Sequence, residues 1–313
     1  MSWKLTLVLS WGLLAWTAGC QPAVARGESA EDSGGRPRIV ATTSLIGNVL
    51  SRVGGDRIEL RVLLPPGADP HSFQSTPQDA AAVAEAQLVF INGFGLEEAL
   101  LATVASVAGS FPLVSISEGI EPRELAAAEG GQGEASTADP HVWLDPTNVM
   151  VWVENARAAL TRVDLAGADL YAANATAYQA ALEALDGWIR SEVERIPSEN
   201  RELVTDHDNL GYFAARYGFR IVGAVIPAYS TLAQPSAQEI AELEQTIARY
   251  EVPAFFVGVT ANPALSERVA QDMGVALVPI YTDSLSGPEG PAATYLEMMR
   301  YTVRAIVEAL SPS

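Results

Sequence analysis

Apolar and polar positions fall into an ordered pattern from Arg38 onward. RIVATTS (38–44) is a β-branched run with the composition of a strand. LIGNVLSRVGG (45–55) has helical spacing and closes on two glycines, a stop signal. RIELRVLLP (57–65) alternates and then turns apolar, predicting a second strand. PQDAAAVAEA (77–86) opens on proline and continues in good helix formers. QLVFI (87–91) reads as a buried strand, Leu96 to Val107 as a helix and FPLVSI (111–116) as a fourth strand. Strands and helices alternating at this spacing predict a parallel sheet with helices on both faces.

A much longer helical period follows. Leu170, Ala173, Ala177, Ala181, Leu185, Trp188, Ile189, Val193 and Ile196 keep one face apolar over about seven turns, and Pro197 ends the pattern. The alternation then resumes. ELVTD (202–206), FRIVGAVI (219–226), PAFFVGV (253–259) and VALVPIY (275–281) read as strands. The intervening helices include Ser236–Tyr250, with Ser236 as cap and Glu239 three residues on. The fold class is α/β: two lobes, each a mostly parallel four-stranded sheet flanked by helices, joined by one long rigid helix. The boundaries expected are 38–166 for the first lobe, 167–197 for the connecting helix and 198–313 for the second lobe. Residues 121–138 lack any apolar period and read as a loop or flexible insert.

The first 37 residues follow a different logic. One lysine precedes an apolar run from Leu5 to Trp16, too short for a stable spanning helix. It ends in Thr17-Ala18-Gly19-Cys20, which resembles a bacterial lipoprotein cleavage signal, with Thr17 where leucine is more usual. Residues 1–20 are therefore expected to be a signal peptide, Cys20 the lipidated residue, and 21–37 a flexible tether. Cys20 is the chain's one cysteine, which rules out an internal disulfide and any Cys-rich zinc cluster. The formal net charge of −19 argues against nucleic acid, since nothing would neutralise phosphates. A mean hydropathy of +0.14 is too low for a multi-span membrane protein.

Only three histidines occur, and two of them close the same tetrapeptide, ADPH, at 68–71 and 138–141. His71 follows the second predicted strand, His141 the fourth, and His207 lies just past ELVTD. Asp283 follows the last strand. Ligands bind at the carboxyl ends of strands in open α/β sheets. If the lobes face each other there, three imidazoles and a carboxylate meet, a donor set that suits a borderline divalent metal such as zinc. Pro70 and Pro140 restrict the backbone that presents each ring. Asp69, Asp139, Asp206 and Asp208 stand within two residues of a histidine and are candidates to accept its non-ligating N–H. Against this, aspartate in a TDS sequence is also ordinary turn chemistry.

These segments carry a resemblance. LLPPGADPHSFQSTPQDAAAVAEAQLVFINGFGLE (63–97), ADPHVWLDPTN (138–148), TDHDNLGYFAARYGF (205–219) and YTDSLS (281–286) resemble, in order, the four ligand segments of the zinc/manganese solute-binding lipoproteins of bacterial ABC importers. The resemblance covers essentially all of the chain beyond the tether. It implies one metal buried between the lobes, with His71, His141, His207 and Asp283 as ligands. It also implies Zn2+ as the transported substrate, Mn2+ as the alternative, and an ABC permease with its ATPase as partners. The expected protein is an exported monomer, lipid-anchored at the outer face of the cell membrane or periplasmic, and not an enzyme. Three departures stand out. His207 occupies a position that is Glu in some members. The insert before His141 is acidic and holds no histidine. Gly258 stands where an acidic residue is common.

Two other classes are weighed against transport. A zinc hydrolase needs an open coordination position and a general base, and the chain has no HExxH and no GxSxG motif. An adhesin with a merely stabilising metal would leave metal uptake intact on deletion. The tether reading gives a direct test. Full-length protein is expected in the membrane fraction and Cys20→Ala in the soluble fraction. Equal membrane retention of both would remove the anchor.

Overall fold

The computed structural model describes residues 35–97, 100–102, 112–124 and 138–311. The signal segment with Cys20, most of the tether and the core of the 121–138 insert lie outside the described residues. Of the helix expected at Leu96–Val107, residues 100–102 are helical and 98, 99 and 103–107 are outside the description. No helix among the described residues is long and apolar enough to cross a membrane.

The first sheet is built from β1 (Arg38–Ala41), β2 (Glu59–Val62), β3 (Leu88–Ile91) and β4 (Leu113–Ser115), in the order β2-β1-β3-β4 and parallel throughout. The crossovers are α1 (Ser44–Gly54) and α2 (Pro77–Glu85). Thr76 caps α2, with Pro77 in its first turn and Asp79 completing the reciprocal cap. Two helices follow: α3 (Pro146–Val163), capped by Asp145, and α4 (Ala168–Val193).

The second sheet repeats the topology. β5 (Glu202–His207), β6 (Arg220–Ile226), β7 (Ala254–Gly258) and β8 (Ala276–Ile280) pair in the order β6-β5-β7-β8, again all parallel. Between them run α5 (Gly211–Tyr217), α6 (Ala237–Tyr250) and α7 (Ala264–Met273), and α8 (Tyr295–Leu310) closes the chain. α5 stops where Gly218 takes a left-handed conformation at φ 74°. The Ser236–Glu239 capping box forms as the sequence requires.

The connecting helix ends at Val193, one turn before the expected Ile196, and its last residues tighten into a turn ahead of Pro197. α3 is an element the sequence pattern did not yield. Its apolar positions, Val149, Trp152, Val153, Ala156 and Leu160, are all buried.

The packing fixes how the sheets relate. One continuous core takes in Leu45 and Leu50 of α1, Trp152 and Leu160 of α3, Leu182 and Leu185 of α4, Phe256 of β7, and Met298 and Ile306 of α8. Two smaller clusters lie apart from it, one around Val83 and Leu100, the other around Phe255 and Val269. The sheets thus share one interior, and residues from Arg36 onward form a single unit. Close-packed interiors resist deformation. A 26-residue helix built into that interior cannot bend without opening it.

Metal loading is therefore expected to leave the overall dimensions nearly unchanged. Solution scattering should give apo and loaded radii of gyration agreeing within about 1 Å, on a value of about 19 Å for a chain this size. A shift of several ångströms would mean that the lobes hinge.

Candidate metal centre

His71 lies in the loop after β2, and the turn before it is fixed by Pro70. Asp69 Oδ1 accepts the main-chain N–H of His71 at 2.9 Å, a side-chain turn that holds the backbone behind the ring. Asp139 Oδ1 makes the same bond to His141 N at 2.9 Å. The repeated Asp-Pro-His is thus the same local mount used twice. His141 leads into a 3-10 turn, Val142–Leu144, that is wholly buried. Asn92, at the end of β3, donates from Nδ2 to the carbonyl of Pro140 at 2.9 Å. His207 is the last residue of β5, and Asp283 follows β8.

These four side chains meet. One donor atom from each of His71, His141, His207 and Asp283 lies within 4.8 Å of all the others. Nε2 of His141 is 3.2 Å from Nε2 of His71 and 3.3 Å from Nε2 of His207. A tetrahedral zinc with nitrogen ligands at about 2.0–2.1 Å separates its donors by about 3.3 Å. Asp283 is slightly farther out, with Oδ1 at 3.7 Å from His141 Nε2 and Oδ2 at 3.9 Å from His207 Nε2. His141, His207 and Asp283 are fully buried, and His71 is half-buried.

Burial decides the charge state. Desolvation, reinforced by the neighbouring rings, drives His71 down to about 2. Burial and His207 drive His141 well below its ordinary value. Burial works against charge on His207 as well, but Asp206, with Asp283 and Asp69 adding, outweighs it and raises this ring to about 9. Desolvation lifts Asp283 to about 6, opposed by His207. Two rings therefore stay neutral, the form that offers a lone pair to a cation. Asp283 Oδ1 is buried without a hydrogen-bond partner among the described residues. An orphan of this kind is costly in a folded interior unless something satisfies it. A cation at the centre of the cluster would do so.

The flanking aspartates divide. Asp139 Oδ1 lies 2.8 Å from His141 Nδ1, and Asp206 Oδ2 lies 3.1 Å from His207 Nδ1. Both are placed to fix the tautomer that leaves Nε2 free for metal. Asp69 and Asp208 differ from expectation. Asp69 holds the main chain of His71 rather than its ring. Asp208 makes no hydrogen bond to the His207 ring among the described residues, because Asp206 already occupies that nitrogen.

Two groups escaped the sequence reading. Trp143 donates from Nε1 to the carbonyl of Thr282 at 2.6 Å, tying the His141 segment to the Asp283 segment. Thr282 Oγ1 donates to Asp283 Oδ2 at 2.9 Å. A tryptophan two places beyond a candidate ligand was the available signal for the first. The second explains Gly258. A Cβ there would lie 2.9 Å from Thr282 Oγ1 and 3.4 Å from Asp206 Oδ2, displacing the hydroxyl that positions Asp283.

Two α/β lobes on a rigid helix, closing four donors around one buried point, define a metal-binding solute receptor. The family model described as "Zinc-uptake complex component A periplasmic" (ZnuA) matches residues 39–309, and the chain belongs to that family. It is the extracytoplasmic metal-binding component of an ABC importer, not an enzyme. It is 34% identical over 294 residues to the manganese-binding lipoprotein MntA of Halalkalibacterium halodurans, covering 92% of this chain and 95% of that protein. It is 30% identical to the iron-binding protein YfeA of Yersinia pestis over 300 residues, covering 95% and 93%. The solved periplasmic zinc-binding protein TroA of Treponema pallidum is similar at a TM-score of 0.81 and 28% identity, over 89% of this chain and all of that one.

Burial lifts Asp139 to about 7, and replacing it by Asn keeps the shape but removes the carboxyl group at His141 Nδ1. Metal affinity is expected to fall about 10- to 100-fold, the usual effect of losing a partner of a ligand histidine. Calorimetry on D139N checks this, and an unchanged affinity would detach Asp139 from the site.

Proposed function

We propose that the chain captures one divalent transition metal, zinc foremost, with His71, His141, His207 and Asp283, and delivers it to an ABC permease driven by its ATPase. The observation that supports this reading best is the donor set: three imidazoles and one carboxylate with donor atoms within 4.8 Å of one another in a largely buried site, two of the imidazole pairs at the spacing of a tetrahedral ion. Imidazole suits zinc, while manganese favours oxygen donors and higher coordination. Manganese is the alternative cargo, supported by the relatives named for it. The boundary scheme of signal peptide, tether and two lobes, with a lipid on Cys20 and a monomeric receptor, completes the proposal.

His207 is the discriminating residue. Substituting Glu replaces a neutral nitrogen donor by a charged oxygen donor and should move preference toward manganese. Competition calorimetry with both metals on wild type and His207→Glu is the test. Wild type is expected to bind zinc more tightly, and H207E to shift the zinc-to-manganese ratio by about tenfold or more, about 1.4 kcal/mol. Manganese binding as tight as zinc in wild type would remove the zinc preference.

A further inference from the structure

His71 differs from the other three donors in how it is held. Nδ1 of His141 and of His207 each face an aspartate, at 2.8 Å and 3.1 Å. No hydrogen bond reaches Nδ1 of His71 among the described residues. It is also the one half-buried member of the cluster. Its place therefore depends on its backbone, and the backbone depends on Asp69.

Asp69 is fastened from both sides of the lobe boundary. Its Oδ1 accepts from His71 N at 2.9 Å and its Oδ2 from Ser72 Oγ at 2.9 Å, within its own loop. Oδ2 also accepts from Thr231 Oγ1 at 2.7 Å. Thr231 lies in the loop between β6 and α6, in the opposite lobe. The same loop places the Tyr229 ring 6.3 Å from the ring of His141. A second tie joins Gly67 N to Ser284 Oγ at 2.8 Å, next to Asp283. Of these two ties, only the Thr231 bond ends on the carboxylate that holds the His71 backbone.

A hydroxyl donating to a carboxylate makes a charge-assisted bond, stronger than a neutral one. When a multidentate site loses its ion, the least restrained ligand detaches first. His71 has the least restraint and the most access to solvent. Freeing Asp69 from the opposite lobe would let the His71 loop leave the cluster more often, with the buried donors unaffected.

We propose that Thr231 is a positioning residue for metal capture, holding His71 in place through Asp69 across the lobe boundary and so setting how long a bound ion stays. The proposal rests on the ligand set of the preceding section. The test uses the full chain as wild type, Thr231→Val, which keeps the shape and removes the donor, and Thr231→Ser, which keeps the donor. Zinc stoichiometry, zinc dissociation into excess chelator by stopped flow, and the unfolding midpoint of the apo protein are measured on each. The expected result is one zinc per chain throughout, with matching apo midpoints. T231V should release zinc about tenfold faster, the size of effect a hydrogen bond to a charged group supports, and T231S should return close to the wild-type rate. A wild-type rate in T231V overturns the proposal, as does a faster rate that serine does not restore. If wild type binds neither zinc nor manganese, the ligand assignment itself falls, whatever Thr231 does.

Discussion

Three imidazoles and a carboxylate packed within a few ångströms, away from water, do not hold themselves together. Burial penalises charge on every one of them, and the rings repel each other once charged. The outcome is a cluster in which two rings are kept neutral, while Asp206 raises the third, His207, above its ordinary range, so that ring must give up its proton to a cation before it can ligate. Such a group is poised for a cation and poorly satisfied by anything else the fold supplies. The rest of the molecule can be understood as the scaffold that keeps it assembled.

That scaffold works by dividing the donors between two sheets and then denying the sheets independence. His71 and His141 come from the first lobe, and His207 and Asp283 from the second. Their spacing is thus a property of the interface. Trp143 joins the His141 and Asp283 segments directly through the carbonyl of Thr282. Tyr295, at the start of α8, donates its hydroxyl to the carbonyl of Trp143 at 2.7 Å, and its main-chain N–H donates to Oδ1 of Asn48 in α1 at 3.1 Å. Ser44 Oγ accepts from Leu285 N at 3.1 Å. These bonds sit above the core shared by α1, α3, α4 and α8, so the donor geometry inherits the stiffness of a packed interior.

Much of this was legible in the sequence, for identifiable reasons. The strand–helix alternation is a periodic signal, and the parallel sheets follow from it. The ADPH repeat exposed two candidate donors because a rigid mount leaves a local sequence signature: Asp to cap the turn, Pro to fix the backbone, His to point. What stayed hidden was non-local. α3 has a good start signal in Asp145-Pro146, but five consecutive apolar residues, 149–153, blur its helical period. The roles of Asp69 and Asp208 could not be told from those of Asp139 and Asp206. Each lies within two residues of a histidine, and only the three-dimensional path decides which carboxylate reaches the ring. Gly258 looked like a deviation until its neighbours were known. Its lack of a side chain leaves room for Thr282 to act on Asp283.

The four donors are therefore not equivalent. His207 is part of a strand, Asp283 is braced by Thr282, and His141 is enclosed by a buried turn with Asn92 and Trp143 on either side. His71 sits in a turn of the long loop between β2 and α2 and is the one donor of the four that is not fully buried. A site rigid on three sides and yielding on the fourth can bind tightly and still exchange its cargo. Exchange then needs only a loop to move, and the shared core between the lobes stays closed. On the proposed ligand set, the loop that carries His71 is where release would begin.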